Sequence, residues 1–335
     1  MQIIILAGGS GERFWPLSTK ETPKQFLKLF GDKSLIRQTY ERLEGFVKPE
    51  DVFVVTSHKD KERTLKEIPE ISEKNVLGEP FRRNTAAACM AGMLMADDDE
   101  TVLILPADHR IPDKTAFWRF IRLAEEGAET FGGLYTFGIK PTRPETGYGY
   151  IEAGEKFNDH ILKAAHFREK PVREVAEDYL KKGNFFWNSG MFLWKREDFL
   201  KAMAQCSPEV FNPLVNMNPF DAENVVACYE NCPAISIDYA LMEKSEQVRV
   251  VPVALDWSDV GNWESIRELE GYSDISEKTS FIDCEKNFVK SQSGKKVGII
   301  GLNGIVVVET DEGILVCREE DCQKVREVSR FFNEQ

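Results

Sequence analysis

The residues best suited to chemistry stand near the start of the chain. They are Leu6-Ala7-Gly8-Gly9-Ser10-Gly11-Glu12-Arg13-Phe14-Trp15-Pro16-Leu17-Ser18, followed by Pro23-Lys24-Gln25-Phe26. Three glycines within four positions, directly after an apolar run, let the backbone come close to a ligand. They also leave N–H groups to face phosphate oxygens. Arg13 and Lys24 bracket the loop, and a forked guanidinium beside a point-charge ammonium suits a triphosphate whose leaving oxygen gains charge. Two better-known phosphate loops are excluded. No Lys-Ser or Lys-Thr follows the glycines, and Phe14 stands where the dinucleotide fingerprint needs its third glycine.

Two carboxylates stand in informative places. Asp108, in Leu105-Pro106-Ala107-Asp108-His109, lies just past a buried apolar run, and ligands of open α/β sheets bind outside the carboxyl ends of strands. Asp259 sits in Trp257-Ser258-Asp259-Val260-Gly261-Asn262-Trp263, which reads as a tightly packed turn. Magnesium is usually held by one or two carboxylates, with phosphate oxygens completing its octahedron. His109 has no second His or Cys at a matching spacing and reads as a packed residue. There is no Ser-His-Asp or Cys-His arrangement.

These residues need elements to position them. Ile3 to Ala7, Val52 to Val55, a short run ending near Gly78, Val102 to Leu105 and Leu134 to Ile139 read as strands. Helical stretches alternate with them: Ile36, Tyr40 and Leu43 at helical spacing, Lys61 to Ile68, Thr85 to Ala96 with Asn84 or Thr85 as its cap, and Thr115 to Glu129. That rhythm predicts an α/β fold, a mostly parallel sheet with helices on both faces. After Pro141 the alternation loosens into strands near Tyr148–Glu152, Ile161–Phe167 and Met191–Trp194, with helices near Val172–Lys182 and Glu197–Gln205. From about Phe281, short β runs separated by Gly, Asn and Asp suggest a small all-β part, closed by a polar helix from Gln323 to Phe332.

Composition limits the class. The 335 residues are 42% hydrophobic and 30% charged, with a net charge of -13, which argues against a general nucleic-acid binder. Seven cysteines without a CxxC pair or a common zinc spacing read as reduced thiols. The run from Met1 to Leu6 lacks a basic n-region and is too short for a signal peptide. No apolar stretch approaches the roughly 20 residues a membrane span needs. The expected setting is the cytoplasm, without nucleic-acid or membrane partners.

The glycine-loop segment resembles the signature of the sugar-1-phosphate nucleotidylyltransferases, L-A-G-G-x-G-x-R-x-x-P-x-S…P-K. Its Phe-Trp-Pro-Leu-Ser and Pro-Lys-Gln-Phe resemble the branch that couples mannose 1-phosphate to GTP, and similarity continues along nearly the whole chain. The resemblance implies a Rossmann-like nucleotidyltransferase domain over residues 1–265. A small β-helix-like subdomain with the C-terminal helix would follow over residues 266–335, in a chain too short for the isomerase domain of bifunctional relatives. It implies that Arg13 and Lys24 contact the triphosphate and assist pyrophosphate departure, and that Asp108 and Asp259 clamp Mg²⁺. Leu6, Ala7, Gly8, Gly9, Ser10 and Gly11 would line the nucleotide. So would Glu79, Pro80, Arg83, Asn84 and Thr85, in a stretch similar to the family's E-P-x-x-R-N-T-A. Here Arg82 replaces a frequent Gly and Ala87 a frequent Pro. Glu79 can accept from the donor edge of guanine, while Arg83 can serve its acceptor edge or the triphosphate. For the sugar phosphate, family-like motifs implicate Gly147, Tyr148, Glu169, Lys170, Asn188 and Asp238.

The implied reaction is attack by a sugar 1-phosphate oxygen on the α-phosphorus of GTP, with Mg²⁺ as cofactor and a homodimer as the assembly. The same chemistry on glucose 1-phosphate with UTP or dTTP is the nearest alternative. A non-catalytic nucleotide-sugar sensor is another, though a sensor need not keep leaving-group cations.

Overall fold

A computed structural model of the chain describes residues 1–9, 11–269 and 278–333; Ser10 of the glycine loop lies outside the described residues. In chain order the first elements are β1 (Gln2–Ala7), α1 (Leu35–Glu41), β2 (Val52–Ser57), α2 (Lys61–Glu67), β3 (Val76–Glu79), α3 (Asn84–Met95), β4 (Thr101–Pro106), α4 (Lys114–Phe131) and β5 (Leu134–Ile139). Then follow β6 (Tyr150–Lys156), β7 (Leu162–Arg168), α5 (Arg173–Lys182), β8 (Phe185–Lys195), α6 (Arg196–Cys206), α7 (Pro208–Leu214), α8 (Ala222–Glu230) and β9 (Val248–Val253). The last are α9 (Trp263–Glu268), β10 (Thr279–Ile282), β11 (Phe288–Ser291), β12 (Val297–Ile300), β13 (Ile305–Thr310), β14 (Gly313–Arg318) and α10 (Val325–Asn333).

These elements fall into two compact units, neither continuous in sequence. The first takes Met1–Gly8, Thr39–Ala107 and Ile111–Trp257; the second takes Gly9–Gln38, Asp108–Arg110 and the chain from Ser258 onward.

The first unit is built on a nine-stranded sheet of order β3-β2-β1-β4-β8-β5-β9-β7-β6. Strands β1 to β4 pair in parallel, as their unbroken apolar runs require of strands covered on both faces. The other half departs from the mostly parallel expectation. β8 enters antiparallel between β4 and β5, and β6 and β7 form an antiparallel pair. The burial of β7 and of the first half of β8 alternates, the pattern of a sheet with one wetter face, which antiparallel pairing permits. Only β5 with β9 restores a parallel contact there.

Helix α3 carries Ala and Met on almost every side and is buried nearly all round, as an uninterrupted apolar helix must be. Gly92 brings it against β1, where an added Cβ would lie 2.6 Å from Cγ2 of Ile4, a fully buried side chain. Amphipathic α4 is capped by Asp113, whose Oδ1 accepts from the Ala116 N–H at 2.9 Å. Trp194, fully buried, stacks between Phe192 and Phe199.

The second unit joins the segment after the glycine loop to the C-terminal strands. β10 pairs with β12 and β11 with β13, both in parallel, and β14 closes antiparallel on β13. Stacked short parallel strands from successive turns of chain form the β-helix-like part. Its core includes Phe14, Trp263, Phe288, Val306, Val308 and Leu315. The Trp263 ring meets Phe14 edge-on at 5.1 Å and its Nε1 donates to the Trp15 carbonyl at 3.3 Å. Among the described residues, no helix is long and apolar enough to cross a membrane.

Replacing Gly92 by Val should overpack the α3–β1 contact and cost about 1–3 kcal/mol. Thermal unfolding reports this directly, and an unchanged Tm would contradict the close approach.

Candidate functional site

In the second unit the glycine loop bends sharply. Gly11 has φ 68°, and a Cβ there would lie 2.5 Å from Cβ of Lys24 and 2.6 Å from Oγ of Ser18. Both the left-handed backbone and the space demand glycine. Glu12–Phe14 and Lys24–Phe26 are single 3-10 turns, and these short turns present Arg13 and Lys24.

Lys24 is 9% exposed. Its Nζ lies 2.7 Å from Oδ2 of Asp108 and donates at 2.7 Å to the backbone carbonyl of Asp259. The segments carrying these aspartates are tied by a two-way bridge: Arg110 N–H donates to the Ser258 carbonyl at 2.9 Å, and Ser258 N–H to the Arg110 carbonyl at 3.1 Å. Arg13 donates from Nη1 to the Gly261 carbonyl at 3.4 Å. A cavity of about 350 Å³ is lined by Gly11, Arg13, Lys24, Asp108, His109 and Asp259, among others. So the four residues singled out for catalysis and metal line one hollow, with His109 buried beside them.

Burial works to raise the Asp108 pKa. The charges of Lys24 and His109 and the hydrogen bond from Lys24 outweigh it, holding the carboxyl below its ordinary range. No group of three or more His, Cys, Asp or Glu side chains suited to a metal occurs among the described residues. Two carboxylates without a third fit Mg²⁺, which takes few protein oxygens and completes its shell with phosphate and water.

Gly9 belongs to the second unit with Gly11, and the remaining described candidates lie in the first unit, in two groups. In the first, Leu6 and Ala7 end β1, and a Cβ on Gly8 would lie 3.5 Å from Oε2 of Glu79. Glu79 Oε1 accepts from the Tyr229 hydroxyl at 3.2 Å. Its pKa is pushed up to about 7, chiefly by burial, which outweighs Tyr229 and Arg82. Arg83 donates from Nε to the Tyr229 carbonyl at 2.9 Å and from Nη2 to the Glu230 carbonyl at 3.0 Å. It ties the segment before α3 to the end of α8. Neither Asn84 nor Thr85 caps α3. Asn84 is its first residue, at φ 64°, and the Thr85 hydroxyl instead accepts from the Ile237 N–H at 2.8 Å. Pro80 lines a separate cavity of about 560 Å³ with His58 and Phe220.

In the second group, Asn188 donates from Nδ2 to Asp238 Oδ1 at 2.9 Å, and its own Oδ1 accepts from Thr136 at 3.1 Å. A Cβ on Gly149 would lie 2.5 Å from Oε2 of Glu169 and 3.3 Å from Cβ of Asn188, so these side chains meet over a bare backbone. Lys170 pairs with Glu169 at 2.5 Å. Tyr148 packs edge-on against Trp187 and Trp257, while the Gly147 N–H is held by Glu145 at 2.8 Å. Asp238 opens a π-helical turn, Asp238–Met242. Burial first, then the neighbouring Glu169, pushes its pKa up to about 7. Tyr229, Thr136 and Glu243, whose Oε1 accepts from the Glu169 N–H at 3.1 Å, escaped the sequence reading. Each comes from a distant segment with no motif of its own.

The profile of the nucleotidyl transferase family matches residues 2–273, and that of the MannoseP isomerase/GMP-like beta-helix domain matches residues 279–330. Alginate biosynthesis protein AlgA of Pseudomonas fluorescens is 38% identical over 354 residues, covering 99% of this chain and 72% of that protein. Mannose-1-phosphate guanylyltransferase RfbM of Salmonella typhimurium is 36% identical over 350 residues, covering 98% and 72%. A crystal structure from Thermus thermophilus, described as a mannose-1-phosphate geranyltransferase, superposes with a TM-score of 0.88 at 32% identity, over 99% of both chains.

The raised Asp238 pKa carries a stability signature. Between the ordinary value of 3.8 and about 7, the folded chain keeps a proton that the unfolded chain has lost. The stability this confers is therefore full at low pH and lost as pH rises towards 7. Asp238→Asn removes that loss, so its Tm relative to the parent should climb from pH 4 to pH 8, by about 2–4 °C per kcal/mol relieved. A difference independent of pH, measured by thermal melts, would contradict the buried carboxyl.

Proposed function

Because the chain belongs to the nucleotidyl transferase family, we propose that it joins GTP to α-D-mannose 1-phosphate, giving GDP-mannose and diphosphate. The relatives named for that transfer support the substrate pair, since they align along nearly the whole chain. The observation that most favours the chemistry is the Lys24 ammonium, held between Asp108 and Asp259 in a cavity that Arg13 also lines.

In the proposed reaction a phosphate oxygen of the sugar phosphate attacks the α-phosphorus. The new P–O bond forms as the bond to the bridging β-oxygen breaks, and pyrophosphate leaves with the electron pair. A phosphate monoester is already anionic at pH 7, so positioning and charge neutralisation do most of the work. Arg13 and Lys24 receive the charge that builds on the leaving group. Asp108 and Asp259 would hold Mg²⁺, which when bound lessens repulsion between the two reacting anions. Leu6 to Gly11 line the nucleotide, with Glu79 at the donor edge of guanine and Pro80, Asn84 and Thr85 beside it. Arg83, already engaged by two carbonyls, serves as an anchor for that segment. Gly147, Tyr148, Glu169, Lys170, Asn188 and Asp238 take the sugar phosphate.

A homodimer in the cytoplasm completes the proposal. The seven cysteines, all thiols, suit a reducing compartment. Exposed Ile314 and Val316 on the edge strand β14 give a second copy apolar surface to cover.

Pyrophosphate release across four nucleoside triphosphates and three sugar 1-phosphates should be fastest with GTP and mannose 1-phosphate. Arg13→Ala and Lys24→Ala should each lower kcat by about 100-fold or more, and Asp108→Asn should raise the Mg²⁺ needed for half-maximal rate. Turnover within twofold of the parent in both cation variants would overturn the assignment. Sedimentation at assay concentration should give twice the 38.2 kDa chain mass; a monomer throughout would remove the dimer.

A further inference from the structure

The cavity that holds Arg13 and Lys24 has another wall. Arg326 and Arg330 of α10 also line it, although they stand some 300 residues further along the chain. Four apart on a helix, they project from one face, and that face is turned to the hollow. The helix is fastened there at both ends. Val325 at its start is buried in the unit's core, and Ser329 at its middle is shielded from solvent. Near its end, Arg330 Nε lies 3.0 Å from Oε2 of Glu12. Phe332 stacks on Trp15, with ring centroids 5.2 Å apart and planes 15° from parallel.

The charges around the hollow do not cancel. Arg13, Lys24, Arg326 and Arg330 face Glu12, Asp108 and Asp259. Lys24 is paired with Asp108 and Arg330 with Glu12. Arg326 has no ion pair or hydrogen bond among the described residues, which leaves its five donors available. In a chain of net charge -13, such a local excess of cations is not a by-product of composition. A guanidinium lining a cavity with three other cations is an anion receptor, and its planar fork matches phosphate oxygens two at a time.

We infer that Arg326 is a further polyphosphate-binding residue: it takes the β- and γ-phosphates of the nucleotide and holds the pyrophosphate they become, while Arg330, locked to Glu12, positions the helix that carries it. The inference rests on the reading of this cavity as a triphosphate site. Arg326 shares the cavity with Arg13 and Lys24, the leaving-group candidates, so its contribution falls on the phosphate end of the nucleotide.

The test is Arg326→Ala, with Arg326→Lys as the conservative variant, compared with the parent for equal Tm. In the reverse reaction Arg326→Ala should raise KM for pyrophosphate about tenfold, or about 1.4 kcal/mol, and KM for GTP in the forward direction similarly. KM for mannose 1-phosphate should stay within twofold, and Arg326→Lys should recover part of the loss. Calorimetric titration with inorganic tripolyphosphate, which carries neither base nor sugar, should show the same weakening. Unchanged pyrophosphate KM and tripolyphosphate affinity in Arg326→Ala would overturn the inference, as would a parent protein that does not bind tripolyphosphate. A parent that binds tripolyphosphate through Arg326 yet makes no GDP-mannose would instead refute the proposed reaction and leave the arginine's role standing.

Discussion

The second unit is organised around one ammonium group. Lys24 Nζ is held by a carboxylate oxygen of Asp108 and a carbonyl oxygen of Asp259 at equal distances of 2.7 Å, so three remote stretches of chain converge on one cation. Such a pair is a weak source of stability, because removing both charges from water offsets most of their attraction. Its value is positional. The ammonium cannot swing as a surface lysine does, and Asp108 stays ionised despite its burial because that cation faces it. The Gly11 backbone must come within contact of Lys24 for this to happen, which is why a side chain has no room there.

The carboxyl groups of the two units sit in opposite electrostatic environments. Asp108 is kept charged by a neighbouring cation. Glu79 and Asp238 are pushed up to about 7 by burial, so near neutrality each is poised between accepting and donating a hydrogen bond. A charged carboxylate suits phosphate chemistry with a divalent ion. Carboxyls poised near neutrality suit uncharged partners such as a base edge or sugar hydroxyls, which offer both donors and acceptors. Environment separates the roles of groups that are chemically alike.

Whatever depends on a short stretch of chain could be read from the sequence. The buried run of β1, the glycine loop and the aspartates past strand or turn are local patterns, and all stand where their spacing placed them. What escaped depends on side chains meeting across the fold. Nothing near Tyr229 announces its bond to Glu79, and nothing near Arg83 announces that carbonyls of α8 would engage it. The expected parallel sheet ends at β4, where β8 enters antiparallel, a pairing across the fold that the residues of β8 do not announce. The cap expected at Asn84 or Thr85 gave way because Thr85 answers the N–H of Ile237, more than 150 residues away.

The C-terminal strands change meaning in this light. A small β-helix-like tail reads in sequence as an appendage to a catalytic body, yet Phe14 of the glycine-loop segment shares its core with Phe288, Val306 and Leu315. Gly313 packs so closely on Trp15 that a Cβ would lie 3.0 Å from the indole, and the Thr310 hydroxyl donates to the Pro16 carbonyl at 3.4 Å. The loop that presents Arg13 has little regular structure of its own, only single 3-10 turns separated by glycine and proline. Its conformation must be imposed by what it packs against. The tail supplies that support, so a mutation in its apolar interior, far in sequence from Arg13, would act by loosening the loop that presents it.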